Sequence, residues 1–173
     1  MLIVLIGYRG TGKTTVARLL AEKLSIDWID ADVQIERRAG KSIADIFSDD
    51  GETAFRDLES AVIARLALRK NLVVAAGGGA VMREENRKAL AAADAMVWLK
   101  ADAQTVAQRI SGDASNAARR PNLTATGGID EIRELLALRE PIYRRCATCQ
   151  VDTVGKSPAD VVDEILNALG ASA

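Results

Sequence analysis

The segment Gly7-Tyr8-Arg9-Gly10-Thr11-Gly12-Lys13-Thr14 constrains this chain more than any other stretch. It fits G-x-x-x-x-G-K-[ST] without a mismatch. It follows the apolar run Leu2–Ile6 and precedes Thr14–Leu24, where Val16, Leu19, Leu20 and Leu24 recur at helical spacing. Glycines at 7, 10 and 12 let the backbone curl so that successive N–H groups converge on one anion. A helix opening at that point adds its dipole. Lys13 then supplies a point charge for the outer phosphates of a nucleotide, and the Thr14 hydroxyl is a ligand for Mg²⁺. The candidate nucleotide contacts are Gly10, Thr11, Gly12, Lys13, Thr14 and Thr15.

Beyond this loop, apolar runs alternate with helical patterns. Ile26–Ile29, Leu72–Ala76, Met96–Leu99 and Gln150–Val151 read as further strands, giving five with Leu2–Ile6. Helices are predicted over Ser42–Phe47, Gly51–Leu68, Arg83–Ala92, Asp102–Ile110, Ile129–Glu140 and Pro158–Leu169. Asp102 and Ser157 are N-cap candidates, with Asp160 completing a capping box. Strand–helix alternation and strands apolar on both faces predict right-handed crossovers and a buried parallel sheet. The expectation is one domain over residues 1–173, a three-layer α/β/α P-loop fold with a central five-stranded parallel sheet. Ser111–Gly128 holds three glycines, Pro121, Arg119 and Arg120, and reads as a mobile lid over about 111–128. Ligands in such sheets gather at the strand C-termini, where the P-loop, Asp30/Asp32 and Gly77–Gly79 fall.

Composition removes several chemistries. The chain has no histidine, which excludes His general bases, Ser-His-Asp triads and His-ligated zinc. Cys146 and Cys149 form one C-x-x-C without a second pair and read as ordinary reduced cysteines. A net charge of −1 and 3% aromatics argue against nucleic acid as a partner. The N-terminal apolar run is too short for a secretory leader, and nothing approaches the roughly 20 apolar residues of a membrane span. The expectation is a soluble, cytoplasmic chain acting as a monomer. Trp28 and Trp98, both in strand candidates, are expected in the core.

A phosphate loop alone does not separate kinase, GTPase and motor. No N-K-x-D guanine reader is present, and the small size with a basic lid favours a kinase. On the acceptor side, Asp30 and Asp32 share a face if their segment is extended. One can hold Mg²⁺ through water and the other can take or orient a hydroxyl proton. Equally, an aspartate here can cap the next helix. Arg56 and Arg139 are either ligand-binding cations or solvated helix charges. Gly77-Gly78-Gly79 either lets a ligand approach the backbone or is a plain turn. Arg37, Arg38 and Lys41 read as a solvated helix face.

Taken together and in order, Gly7–Thr15, Asp30-Ala31-Asp32, Phe55-Arg56-Asp57-Leu58-Glu59, Gly77–Gly79, Arg120-Pro121-Asn122-Leu123 and Arg139-Glu140-Pro141-Ile142-Tyr143 resemble the shikimate kinase family over essentially the whole chain. The resemblance implies phosphorylation of the shikimate 3-hydroxyl by ATP. It implies Lys13, Asp32 and Arg120 as catalytic residues, with Thr14 and Asp30 at the metal. Shikimate contacts would come from Asp32, Arg56, Gly77, Gly78, Gly79 and Arg139, with the two arginines clamping its carboxylate. Arg120 would close with the lid on the phosphoryl group, and Arg109 and Lys156 would contact the nucleotide. Lysine at 156 departs from the arginine often found there and stacks less well on a base. Two other readings stand beside this one: another small-metabolite kinase, such as a gluconate kinase, and a nucleotide-binding module without turnover.

Overall fold

The computed structural model describes residues 1–112 and 128–170. Five strands form one sheet: β1 (Leu2–Ile6), β2 (Asp27–Asp30), β3 (Leu72–Ala75), β4 (Ala95–Lys100) and β5 (Cys149–Asp152). Their order is β2-β3-β1-β4-β5 and every pairing is parallel. The expected sheet is therefore present, with β1 at its centre.

Alternation along the strands builds two cores. Leu2, Val4, Ile6, Val74 and Trp98 face one side, where they meet α2 (Ala31–Ala39), α3 (Ile43–Asp49), α4 (Gly51–Leu66) and α5 (Glu84–Leu90). Ile3, Leu5, Val73, Val97 and Val151 face the other, against α1 (Lys13–Leu24) and α8 (Pro158–Ala168). Each fully buried Leu, Ile or Val contributes about 1.5–3 kcal/mol relative to exposure. A third, smaller cluster joins Tyr8 to α6 (Ala103–Gly112) and α7 (Gly128–Cys146) above the strand C-termini. Among the described residues, no helix is long and apolar enough to cross a membrane.

Local signals hold where caps were legible. Thr105 N–H donates to Asp102 at 2.7 Å, and Ser157 and Asp160 form the reciprocal capping box of α8. Four expectations are corrected. Asp30 and Asp32 do not share an extended segment: Asp30 ends β2 and caps α2, a helix absent from the predicted set, and Asp32 lies in its first turn. The sequence pattern ends a helix at Glu140 because Pro141 follows, yet α7 continues to Cys146. Pro141 removes one N–H donor there, and packing of the fully buried Tyr143 carries the helix past it. Trp98 is core, but Trp28 is 38% exposed because β2 is an edge strand. The lid was expected to begin at Ser111, whereas α6 runs to Gly112. The rest of that segment, with Arg119, Arg120, Pro121 and Asn122, lies outside the described residues.

Candidate active site

A cleft of about 460 Å³ opens at the C-terminal edge of the sheet. Gly10 and Gly12 line it from the loop after β1, Lys13, Thr14 and Thr15 from the start of α1, Asp30 and Asp32 from the end of β2 and the first turn of α2, and Gly77 and Gly78 from the loop after β3. The parallel topology brings these three loops together.

The phosphate loop is held by its own backbone. Gly7 has φ +137°, and a side chain there would strike the Leu99 carbonyl. Gly12 has φ +88° and caps α1. Lys13 Nζ donates to the carbonyls of Gly7 (2.8 Å) and Tyr8 (2.7 Å), which centres its charge over the loop. The Thr11 hydroxyl is buried and donates to Tyr8 O at 2.8 Å, so this side chain closes the loop instead of facing the cleft.

Thr14 Oγ1 donates to Asp30 Oδ2 at 2.6 Å, while Asp30 Oδ1 accepts from Asp32 N–H at 2.9 Å. Asp30 therefore does both things that the sequence left open: it caps α2 and meets the P-loop threonine. A hydroxyl and a carboxylate oxygen side by side suit Mg²⁺, which takes few protein ligands and completes its shell with phosphate and water.

The glycine loop and the arginines fit one another. A Cβ on Gly79 would lie 2.8 Å from Arg56 Cζ, and one on Gly78 would lie 3.6 Å from Arg139 Nη1. At position 79 a Cβ would have to displace the Arg56 guanidinium, whereas at position 78 it would meet only ordinary van der Waals contacts. Arg56 is matched by Glu59 at 2.8 Å, with Glu52 at 3.3 Å. Glu59 is 1% exposed, so the pair is locked in the interior side of α4. The carbonyls of Gly77 and Gly79 accept from Ala80 and Met82, and the Gly78 carbonyl accepts from the Tyr143 hydroxyl.

Arg109 lines the cleft and donates to Thr153 O (2.7 Å), Thr153 Oγ1 (2.9 Å) and Gly10 O (3.4 Å). It ties α6 to the end of β5 and to the P-loop. Lys156 does not join it: its ammonium pairs with Glu164 of α8.

Several residues with a stake in the site were not singled out from sequence. Glu59, Tyr143, Tyr8, Arg9 and Glu131 all hold or flank the groups above. Glu59 stands three residues after Arg56, a spacing that marks a helical ion pair. For Glu131 and Arg9, 122 positions apart, no local pattern exists. Burial pushes the Tyr8 hydroxyl pKa up, opposed by the cations of Arg9 and Arg139.

The family model described as shikimate kinase matches residues 9–170. The chain belongs to the shikimate kinase family. A shikimate kinase from Rhodopirellula baltica is 42% identical over 98% of this chain and 91% of its own length. The structure of a shikimate kinase from Acinetobacter baumannii in complex with shikimate superposes with a TM-score of 0.91 at 36% identity, covering 98% of this chain and 93% of that one. A gluconokinase from Sinorhizobium meliloti superposes with a TM-score of 0.63 at 22% identity, covering 97% of this chain and 90% of that one, and shares the fold alone. Shikimate kinase membership accords with a cleft lined by a phosphate loop and by Gly77 and Gly78, beside which Arg139 and Arg56 stand.

Proposed function

We propose that this chain is an ATP-dependent shikimate kinase, giving shikimate 3-phosphate and ADP. The observation that carries the reading is one cleft with two unlike ends. Lys13 and the P-loop N–H groups line one end and would meet phosphates; Gly77 and Gly78 line the other, with Arg139 beside Gly78 and Arg56 beside Gly79 placed to meet a carboxylate.

The 3-hydroxyl oxygen attacks the γ-phosphorus, the new O–P bond forms, and the bond to the β,γ-bridging oxygen breaks with its electron pair leaving on ADP. Asp32 lines the cleft and takes the hydroxyl proton. A loose transition state asks little base strength of it. Lys13 spreads the phosphate charge, and Arg120 neutralises the transferring group by the family pattern. Thr14 and Asp30 would hold Mg²⁺, which supplies charge neutralisation on the phosphates. Gly10–Thr15 and Arg109 hold the nucleotide, and Gly77, Gly78 and Gly79 hold the acceptor. Lys156 contributes little to the base, because Glu164 takes its charge.

The reading brings with it a cytoplasmic, monomeric, single-domain enzyme. Cys146 and Cys149 are free, and burial pushes both thiols up, away from reactivity. ADP release with Mg·ATP and, in turn, shikimate, gluconate and a nucleoside monophosphate tests the function. Turnover is expected with shikimate alone. Turnover with gluconate instead would transfer the chain to another kinase specificity, and ATP binding without any turnover would make it a non-catalytic module.

A further inference from the structure

Three guanidinium groups gather near the acceptor end of the cleft, and they are not equivalent. Arg56 has Glu59 and Glu52. Arg9, from the P-loop, has Glu131, with Nη2 3.5 Å from Oε1. Glu131 is fully buried, with its side chain 1% exposed, whereas the Arg9 side chain is 15% exposed and lines the cleft. Arg139 makes no ion pair among the described residues. Its guanidinium lies over the Tyr8 ring, 5.5 Å from the centroid. The same ring carries Arg9 at 6.0 Å. Tyr8 is 1% exposed and packed against Val106, Ile132 and Leu136.

One helix organises this group. Glu131, Ile132, Leu136 and Arg139 fall on one broad face of α7, with Ile132, Leu136 and Arg139 spaced by four and three residues and Glu131 next to Ile132. Glu131 stands in the first turn and holds the P-loop arginine. Two turns on, Arg139 rests on the P-loop tyrosine.

We propose that Glu131 is a positioning residue for the acceptor: by neutralising Arg9 at the cleft wall it keeps the Tyr8 ring in place as the platform for Arg139, which with Arg56 receives the substrate carboxylate. The inference rests on the shikimate kinase reading. Its physics is the asymmetry of buried pairs. Deleting one partner strands the other charge in a poor solvent, whereas replacing both by apolar groups is nearly neutral. Without Glu131, the Arg9 guanidinium must turn toward water or toward Arg139, and the ring between them moves with it. Arg139 then loses its cation–π seat.

Steady-state kinetics of the full chain with Mg·ATP and shikimate, beside melting curves, test this. Glu131→Gln raises KM for shikimate about fivefold to twentyfold, in the range of a partly desolvated cation–π contact, while kcat and KM for ATP move less than about twofold. Arg9→Met combined with Glu131→Leu returns KM to within about twofold of the parent chain. With the ion pair intact, Tyr8→Leu reproduces the rise and Tyr8→Phe does not. These last two carry the test if Glu131→Gln does not fold. A lower melting temperature with unchanged KM for shikimate would reduce Glu131 to a structural role and overturn the proposal. So would equal losses in kcat and in KM for ATP, a double variant no better than the single one, or Tyr8→Leu and Tyr8→Phe behaving alike. Failure of the parent chain to phosphorylate shikimate defeats the proposed function itself and shows before any variant is made.

Discussion

In the proposed reading, the groups that would meet a ligand at the donor end of the cleft are mostly main chain, and those at the acceptor end are side chains. The P-loop is shaped by glycines at φ +137°, +79° and +88° and by the start of α1, all within eight residues. The acceptor end draws Arg56 from α4, Arg139 from α7 and a glycine loop from β3, and each arginine needs support from elsewhere. Backbone sites are compact in sequence and nearly self-sufficient. Side-chain sites are dispersed and depend on buried partners. The comparison teaches where damage should fall: donor-end changes should lower kcat, and acceptor-end changes should raise KM for shikimate.

The largest effect is expected at Lys13. Lys13→Met should cut kcat by about a thousandfold, the loss typical of a charge-stabilising donor, and a loss confined to KM would break the division. Asp32 sits between the two ends. Asp32→Asn should lower kcat about a hundredfold to a thousandfold with KM for ATP within about twofold. A large fall in ATP affinity would move Asp32 to the donor end. Arg139→Lys keeps the charge but loses the planar fork, so KM for shikimate should rise about thirtyfold with kcat little changed. Gly79→Ala forces Arg56 aside and should raise the same KM about tenfold, the cost of one misaligned charged hydrogen bond. Ser157→Ala removes the α8 cap but no group assigned to either end. It should cost about 1 kcal/mol in denaturant unfolding and leave both kinetic constants unchanged.

The same contrast explains what the sequence revealed. The sheet and the P-loop were legible because period, glycine placement and caps are local. Asp30 was ambiguous for a physical reason: a carboxylate at that position can cap a helix and meet Thr14 together, and it does both. Trp28 misled because edge or centre is a property of strand order, which no single strand declares. The end of α7 misled because a proline is a local veto that a buried Tyr143 outweighs. Arg56 and Arg139 became meaningful only through resemblance, since nothing near them in sequence names their ligand. Glu131 stayed silent altogether, because its partner lies 122 residues away.

The three carbonyls of Gly77–Gly79 are all taken, by Ala80, Tyr143 and Met82. In a planar trans peptide the N–H points opposite to the carbonyl of the same unit. The Ala80 N–H is spent inside the turn on the Gly77 carbonyl, so the donors left are those of Gly78 and Gly79, each polarised by the bond that the carbonyl of its own peptide unit accepts. In the proposed reading the turn works as an electrical rectifier: two positive dipole ends would welcome oxygens that accept and turn away groups that can only donate.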